Sequence, residues 1–213
     1  MKITLKQIVV PPGSQLLIED ISWSAYEKIL ADLGHDRTTR VNYSQGVLEI
    51  MNPLPEHEDD KVMIGDFIKV ILEELDLEFR SLGSTTFKSQ AMDGGVEADD
   101  CFYIENEPKI RGKKRINLDI DPPPDLAIEI DITSRTTLQN YCVLGVKELW
   151  KFDGKALSIY RLDGGEYVQF NTSYWFPGLP LAQKIPEYLE RSRIEGRNAT
   201  MKQFRKWVNR SVE

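Results

Sequence analysis

Cysteine is scarce: Cys101 and Cys142 are the only two in 213 residues, and both sit in apolar segments. Two thiols so far apart exclude a zinc ribbon. They are expected as free, buried thiols in a reducing compartment. Long apolar runs are missing as well. None approaches the ~20 residues that cross a bilayer, so no membrane span is expected. The opening stretch Met1-Lys2-Ile3-Thr4-Leu5-Lys6 has no long apolar region ahead of a small-residue cleavage site, which argues against a signal peptide and for a cytoplasmic protein. No internal repeat or low-complexity tract occurs. Positive charge is in deficit: 27 Lys and Arg stand against 34 Asp and Glu, a formal net charge of -7. That excludes a simple charge-driven coat for nucleic acid. It leaves room for an enzyme that gathers acids at a metal site and keeps its cations in patches. Two patches exist, Lys109 to Arg115 in a loop and a C-terminal stretch from Arg191 to Arg210.

What is present suffices for one sizeable core, at 41% hydrophobic residues. We expect a domain over 1–180 with an N-terminal extension, and a C-terminal helical extension of the same domain over 181–213. Ser22 is placed to cap a helix that Gly34 stops. Residues 38–51 read as a hairpin turning at Ser44-Gln45-Gly46. A long helix is expected from about Glu56 to Leu75, with Ile64, Ile68, Ile71 and Leu75 at helical spacing and His57 on the same face. Thr85 to Lys88 and Val96 to Ile104 read as adjacent strands joined at Asp93-Gly94-Gly95. Leu126 to Ile132 is nearly continuous in apolar residues, as in a strand covered on both faces. A helix capped by Thr133 or Ser134 runs to Leu144, and Val146 to Phe152 is the next strand. Strand, helix, strand implies a right-handed crossover between parallel neighbours. A hairpin across Asp163-Gly164-Gly165 and helices near 184–192 and 199–210 complete the chain.

The anomaly lies in the acids. Glu97-Ala98-Asp99-Asp100 and Glu129-Ile130-Asp131 both fall inside apolar strands. An unpaired buried charge costs several kcal/mol or is neutralised, so such carboxylates need a partner, and a divalent cation is the natural one. Asp125 shares a strand with Glu129 but lies about 13 Å away at ~3.3 Å per residue, too far for one ion. The second carboxylate must come from a neighbouring strand. Periodicity alone does not choose between Asp99 and Asp100. The face with Glu97, Cys101 and Tyr103 is the more polar, which favours Asp99.

An acid on one strand, an acidic triplet on the next, then a helix and a further strand resemble the PD-(D/E)XK nuclease superfamily. More narrowly, the chain is similar to a bacterial family of uncharacterised restriction-endonuclease-like proteins. The matching stretches are Leu48-Glu49-Ile50-Met51, Pro55-Glu56-His57, Gly95 to Ile104, Pro123 to Ile130, and Gly145-Val146-Lys147-Glu148-Leu149-Trp150. The resemblance implies an α/β (α+β) fold with a restriction-endonuclease-like core. In that core a central mixed β-sheet is flanked by helices, with an N-terminal β-hairpin and C-terminal helices. It implies that Asp99 and Glu129 hold Mg²⁺ or Mn²⁺, that DNA is the substrate, and that two copies pair as a homodimer. Ala98 stands where the family has proline, and Asp131 stands where the superfamily has lysine. Asp131 is then a further ligand or a group that orients water. Lys88, on the strand before Asp99, is a candidate for the missing cation, and Gln139 a weaker one. His57, on the apolar face at the start of the long helix from which such sites often draw a residue, is a further candidate, and Glu49 of the hairpin is a candidate for a supporting contact. The alternative function is an inactive nuclease fold that serves as a DNA-binding or interaction module.

Overall fold

The computed structural model describes residues 7–34, 39–52, 54–130 and 137–212, without the side chains of 55–57 and 137. Two sheets form the frame. The first has five strands, ordered β1 (Gln15–Ile18), β3 (Val47–Met51), β2 (Arg40–Ser44), β6 (Gly94–Glu97) and β5 (Thr86–Ser89). The second has six, ordered β11 (Glu166–Phe170), β10 (Leu157–Asp163), β9 (Glu148–Phe152), β8 (Leu126–Ile130), β7 (Asp100–Tyr103) and β4 (Arg80–Ser81). This second sheet is mixed. β8 and β9 run parallel across helix α4 (Thr137–Leu144), and its other pairs are antiparallel.

Helix α1 (Trp23–Leu33) covers one face of the first sheet. The Ser22 hydroxyl accepts from the Ala25 amide at 3.3 Å, and Gly34 ends the helix at φ +72°. Its Tyr26 ring stacks on Tyr43 of β2 at 4.7 Å between centroids, above Val41, Leu48 and Ile50. The Tyr26 hydroxyl occupies the space a Cβ on Gly95 would fill, so glycine is required there. Helix α2 (Pro55–Glu74) begins with proline at its first turn, where no amide donor is needed. It buries Ile64, Ile68 and Ile71 against β8 and two closing helices, α5 (Leu181–Glu195) and α6 (Arg197–Val212). Gly65 lets α2 approach β7, since a Cβ there would lie 2.6 Å from Asp100 Oδ2.

The expected central mixed sheet is the six-stranded one, and the 38–51 hairpin forms β2 and β3 of the five-stranded one. Two expectations change. Gly94 and Gly95 belong to β6, and the turn lies before them, where Asp93 takes φ +47° and donates to the Gln90 carbonyl at 3.1 Å. The expected strand Val96 to Ile104 is broken. β6 ends at Glu97 and β7 starts at Asp100, because the chain leaves one sheet there and joins the other. The Asp99 amide donates to the Ile128 carbonyl of β8 at 3.2 Å, and the Ala98 carbonyl accepts from the Ser84 hydroxyl at 3.1 Å. Asp99 therefore sits at the switch between sheets. Thr133 and Ser134, the expected caps of the crossover helix, lie outside the described residues.

Asp125 is a structural anchor. It is fully buried, and its carboxylate accepts from the Ile104 amide (2.7 Å), the Asn106 amide (2.8 Å) and Asn106 Nδ2 (2.7 Å). It ties the loop that carries helix α3 (Glu107–Ile110) to the start of β8. Asp125→Ala leaves three buried donors unpaired, each costing about 1–3 kcal/mol. We expect a loss of about 3 kcal/mol or more, read as a lowered urea midpoint at unchanged m-value.

Candidate functional site

The first sheet splays where the site lies. β2 and β6 pair through Tyr43–Gly95 and Ser44–Gly94, and then side chains fill the widening gap. Asn42 Oδ1 accepts from the Glu97 amide at 3.0 Å, and the Glu97 carboxylate accepts from the Val41 amide at 3.4 Å. Val41 and Tyr43 face α1, so alternation turns Arg40 and Asn42 to the opposite face. Glu49 of β3 stands opposite Asn42 and accepts from its Nδ2 at 3.1 Å.

Arg40 reaches the sheet switch. It is only 5% exposed and forms an ion pair with Asp99, itself 1% exposed, through Nη1. Its Nη2 donates to Glu58 Oε1 of α2 at 3.0 Å. The other Asp99 oxygen accepts from the Ile130 amide of β8 at 2.6 Å. Glu129 precedes that residue on the same strand, is 5% exposed, and accepts from the Tyr141 hydroxyl of α4. Burial, and then the Glu129 charge, push the Tyr141 phenol well above its ordinary pKa, while Arg40 pulls the other way. For Glu58, burial raises the pKa, but Lys61 and Arg40 outweigh it and the carboxyl ends below its ordinary value.

The structure thus brings Asp99 and Glu129 together on neighbouring elements of the second sheet. Asp100 turns the other way, toward Gly65 of α2. It accepts from the Cys101 amide at 2.8 Å and the Ser81 hydroxyl at 3.2 Å, and burial raises its pKa. Glu49 joins the Arg40 face through Asn42. Lys88 stands opposite Gly95, on the α1 face, where it pairs with Glu27 at 2.9 Å. It therefore leaves the sheet on the side away from Arg40. Gln139 is exposed on α4. Asp131 and the His57 side chain lie outside the described residues. Among the described residues, no three His, Cys, Asp or Glu side chains gather as a metal cage.

Three participants were not visible in the sequence. Arg40 lies in a strand whose alternation gives no sign of its partner. Tyr141 reads as one more apolar residue of its helix. Lys151 stands beside Glu129 in the parallel register of β8 and β9, so the two side chains leave the same face. Only the pairing of the two strands shows this.

The second sheet is mixed, with a parallel crossover through α4, and Asp99 stands at the junction of the two sheets beside β8. The chain belongs to the Uma2 family, described as putative restriction endonucleases, whose family model matches residues 23–188. Among solved structures it is similar to a putative nuclease of DUF820 from Anabaena variabilis, at 17% identity and a TM-score of 0.43, covering 62% of this chain and 76% of that one. No curated protein matches. No described helix is long and apolar enough to cross a membrane.

Proposed function

We propose that the chain is a metal-dependent nuclease that hydrolyses phosphodiester bonds of DNA. The reading rests on one observation: two nearly buried carboxylates lie beside each other at β8, where Asp99 accepts from the Ile130 amide and pairs with Arg40, and Glu129 accepts from Tyr141. Two carboxylates suit Mg²⁺ or Mn²⁺, which take one or two and fill the remaining positions with water and phosphate oxygens. Asp99 and Glu129 would hold the ion, with Asp131 as a further ligand or a group orienting water. When bound, the metal supplies a water of lowered pKa and offsets charge on phosphorus.

The chain's own groups do the rest. Tyr141 fixes the rotamer of Glu129. Arg40, between Asp99 and Glu58, can turn its planar donors toward a phosphate oxygen, the geometry that guanidinium recognises. In this reading Arg40, with Lys151 beside Glu129, takes the role considered for Lys88. Two copies would pair as a homodimer to cut both strands, and free thiols suit a cytoplasmic setting.

The alternative, an inactive fold that binds DNA or a partner, draws on the same contacts. Arg40 and Tyr141 already occupy the acids, so the pair can be neutral without a metal. Supercoiled plasmid discriminates the two. Under our reading the purified chain nicks it in Mg²⁺ or Mn²⁺ and is silent in EDTA. Binding to DNA with no cleavage in either metal would establish the alternative.

A further inference from the structure

A cleft of about 620 Å³ opens beside the edge strand β5, on the α1 side of the first sheet and away from Arg40. It is within the ~300–1,000 Å³ of sites that take small organic groups. Its two halves differ in chemistry. Leu30, Leu82 and Ile116 supply apolar surface, while Lys88, Lys114 and Arg115 line the rest. Arg80 adds a fourth cation, held by donation to the Ile110 and Lys113 carbonyls at 2.8 Å each. Among the described residues of its lining, one carboxylate, Glu27, is present and already engages Lys88. Lys114 and Arg115 are exposed, and among the described residues neither makes an ion pair. A local cationic excess in a chain of net charge -7 concentrates anions at this cleft.

We propose that this cleft binds one unstacked nucleotide unit of a single strand, the base on the Leu30–Leu82–Ile116 surface and the phosphates on Lys114 and Arg115. A duplex offers phosphates on a convex surface and keeps its bases stacked, so it would use the cations and leave the apolar floor bare. An unpaired nucleotide uses both. The hydroxyl-bearing Thr85 and Thr86 also line the cleft, and Thr86 lies opposite Glu97, two residues before Asp99. The cleft would grip the strand outside the scissile position. The inference rests on the nuclease reading only in taking nucleic acid as the ligand.

The experiment is fluorescence anisotropy in EDTA with a labelled dT12 oligonucleotide, a duplex of equal length and thymidine 3′,5′-bisphosphate. Working without metal separates this binding from cleavage, so either claim can fail alone. The double variant Lys114→Glu/Arg115→Glu should weaken dT12 binding by at least ~10-fold. It should also flatten the salt dependence by about 0.7 per lost phosphate contact. Lys155→Glu, a charge reversal in the β9–β10 turn, should leave binding unchanged. If the bisphosphate binds, dT12 does not and the double variant loses it, the cleft takes a free nucleotide rather than a strand. Equal binding of dT12 by wild type and double variant overturns the proposal. So does tighter binding of the duplex.

Discussion

Arg40→Ala should bind Mn²⁺ more tightly than wild type and yet cleave DNA more slowly. Arg40 and a divalent ion compete for the same carboxylate oxygens, since Arg40 Nη1 is paired with Asp99. Two unit charges 4 Å apart are worth up to ~4 kcal/mol at an effective dielectric near 20. Removing the rival by even a third of that tightens metal binding about tenfold. The opposite sign is expected for turnover. Losing a donor aimed at developing charge costs about 10²–10³ in rate. Calorimetry with Mn²⁺ alone reads the first effect and plasmid nicking the second. Breaking a buried ion pair destabilises the metal-free fold, by about 3 kcal/mol. Saturating Mn²⁺ should therefore raise the melting temperature of Arg40→Ala more than that of wild type. Weaker Mn²⁺ binding in the variant would mean that Arg40 orients Asp99 for the ion instead of competing with it.

Arg40 also marks how far the sequence could be read. Local patterns were legible: the Ser22 cap, the α2 stripe, the parallel crossover through α4 and the exclusion of Asp125 all follow from spacing that one segment carries by itself. The pairing of segments was not legible. An uninterrupted Val96–Ile104 strand is the simplest reading of its apolar residues, because nothing in Ala98-Asp99 signals a change of sheet. That change lets Asp99 hydrogen-bond the Ile130 amide instead of facing a pleat. The hairpin 40–51 carries a buried arginine because β2 and β6 diverge, a property of two strands more than 50 residues apart in the chain. Lys88 is a candidate by its place on the strand before Asp99 and by the lack of a lysine in the triplet, yet strand alternation sends it to the α1 face. Lys151, 22 positions after Glu129, is its neighbour in the sheet.

Asp99→Asn should abolish both Mn²⁺ binding and cleavage while leaving the fold intact, and the contacts of Asp99 explain why the two can be separated. Its Oδ2 accepts from the Ile130 amide, which an asparagine carbonyl can still satisfy. Its Oδ1 faces Arg40, which keeps Glu58 at 3.0 Å as a counter-charge. The substitution removes a formal charge and one of two anionic ligands but leaves the side-chain volume and the switch geometry in place. A hard divalent ion draws most of its affinity from anionic oxygen, and a lone Glu129, already hydrogen-bonded by Tyr141, is a poor substitute. Calorimetry should show no Mn²⁺ binding at millimolar concentration, the nicking rate should fall by at least ~10³-fold, and loss of the buried pair with Arg40 should lower stability by about 3 kcal/mol while the melt stays cooperative. Glu129→Gln tests the other half of the pair on the same logic, since its carbonyl still accepts from Tyr141. Wild-type nicking by either variant would place the chemistry elsewhere on the chain. Loss of nicking with metal binding preserved would leave the acids a catalytic role and assign the ion to other ligands. Only loss of both, in two variants that fold, ties the ion and the chemistry to the sheet switch.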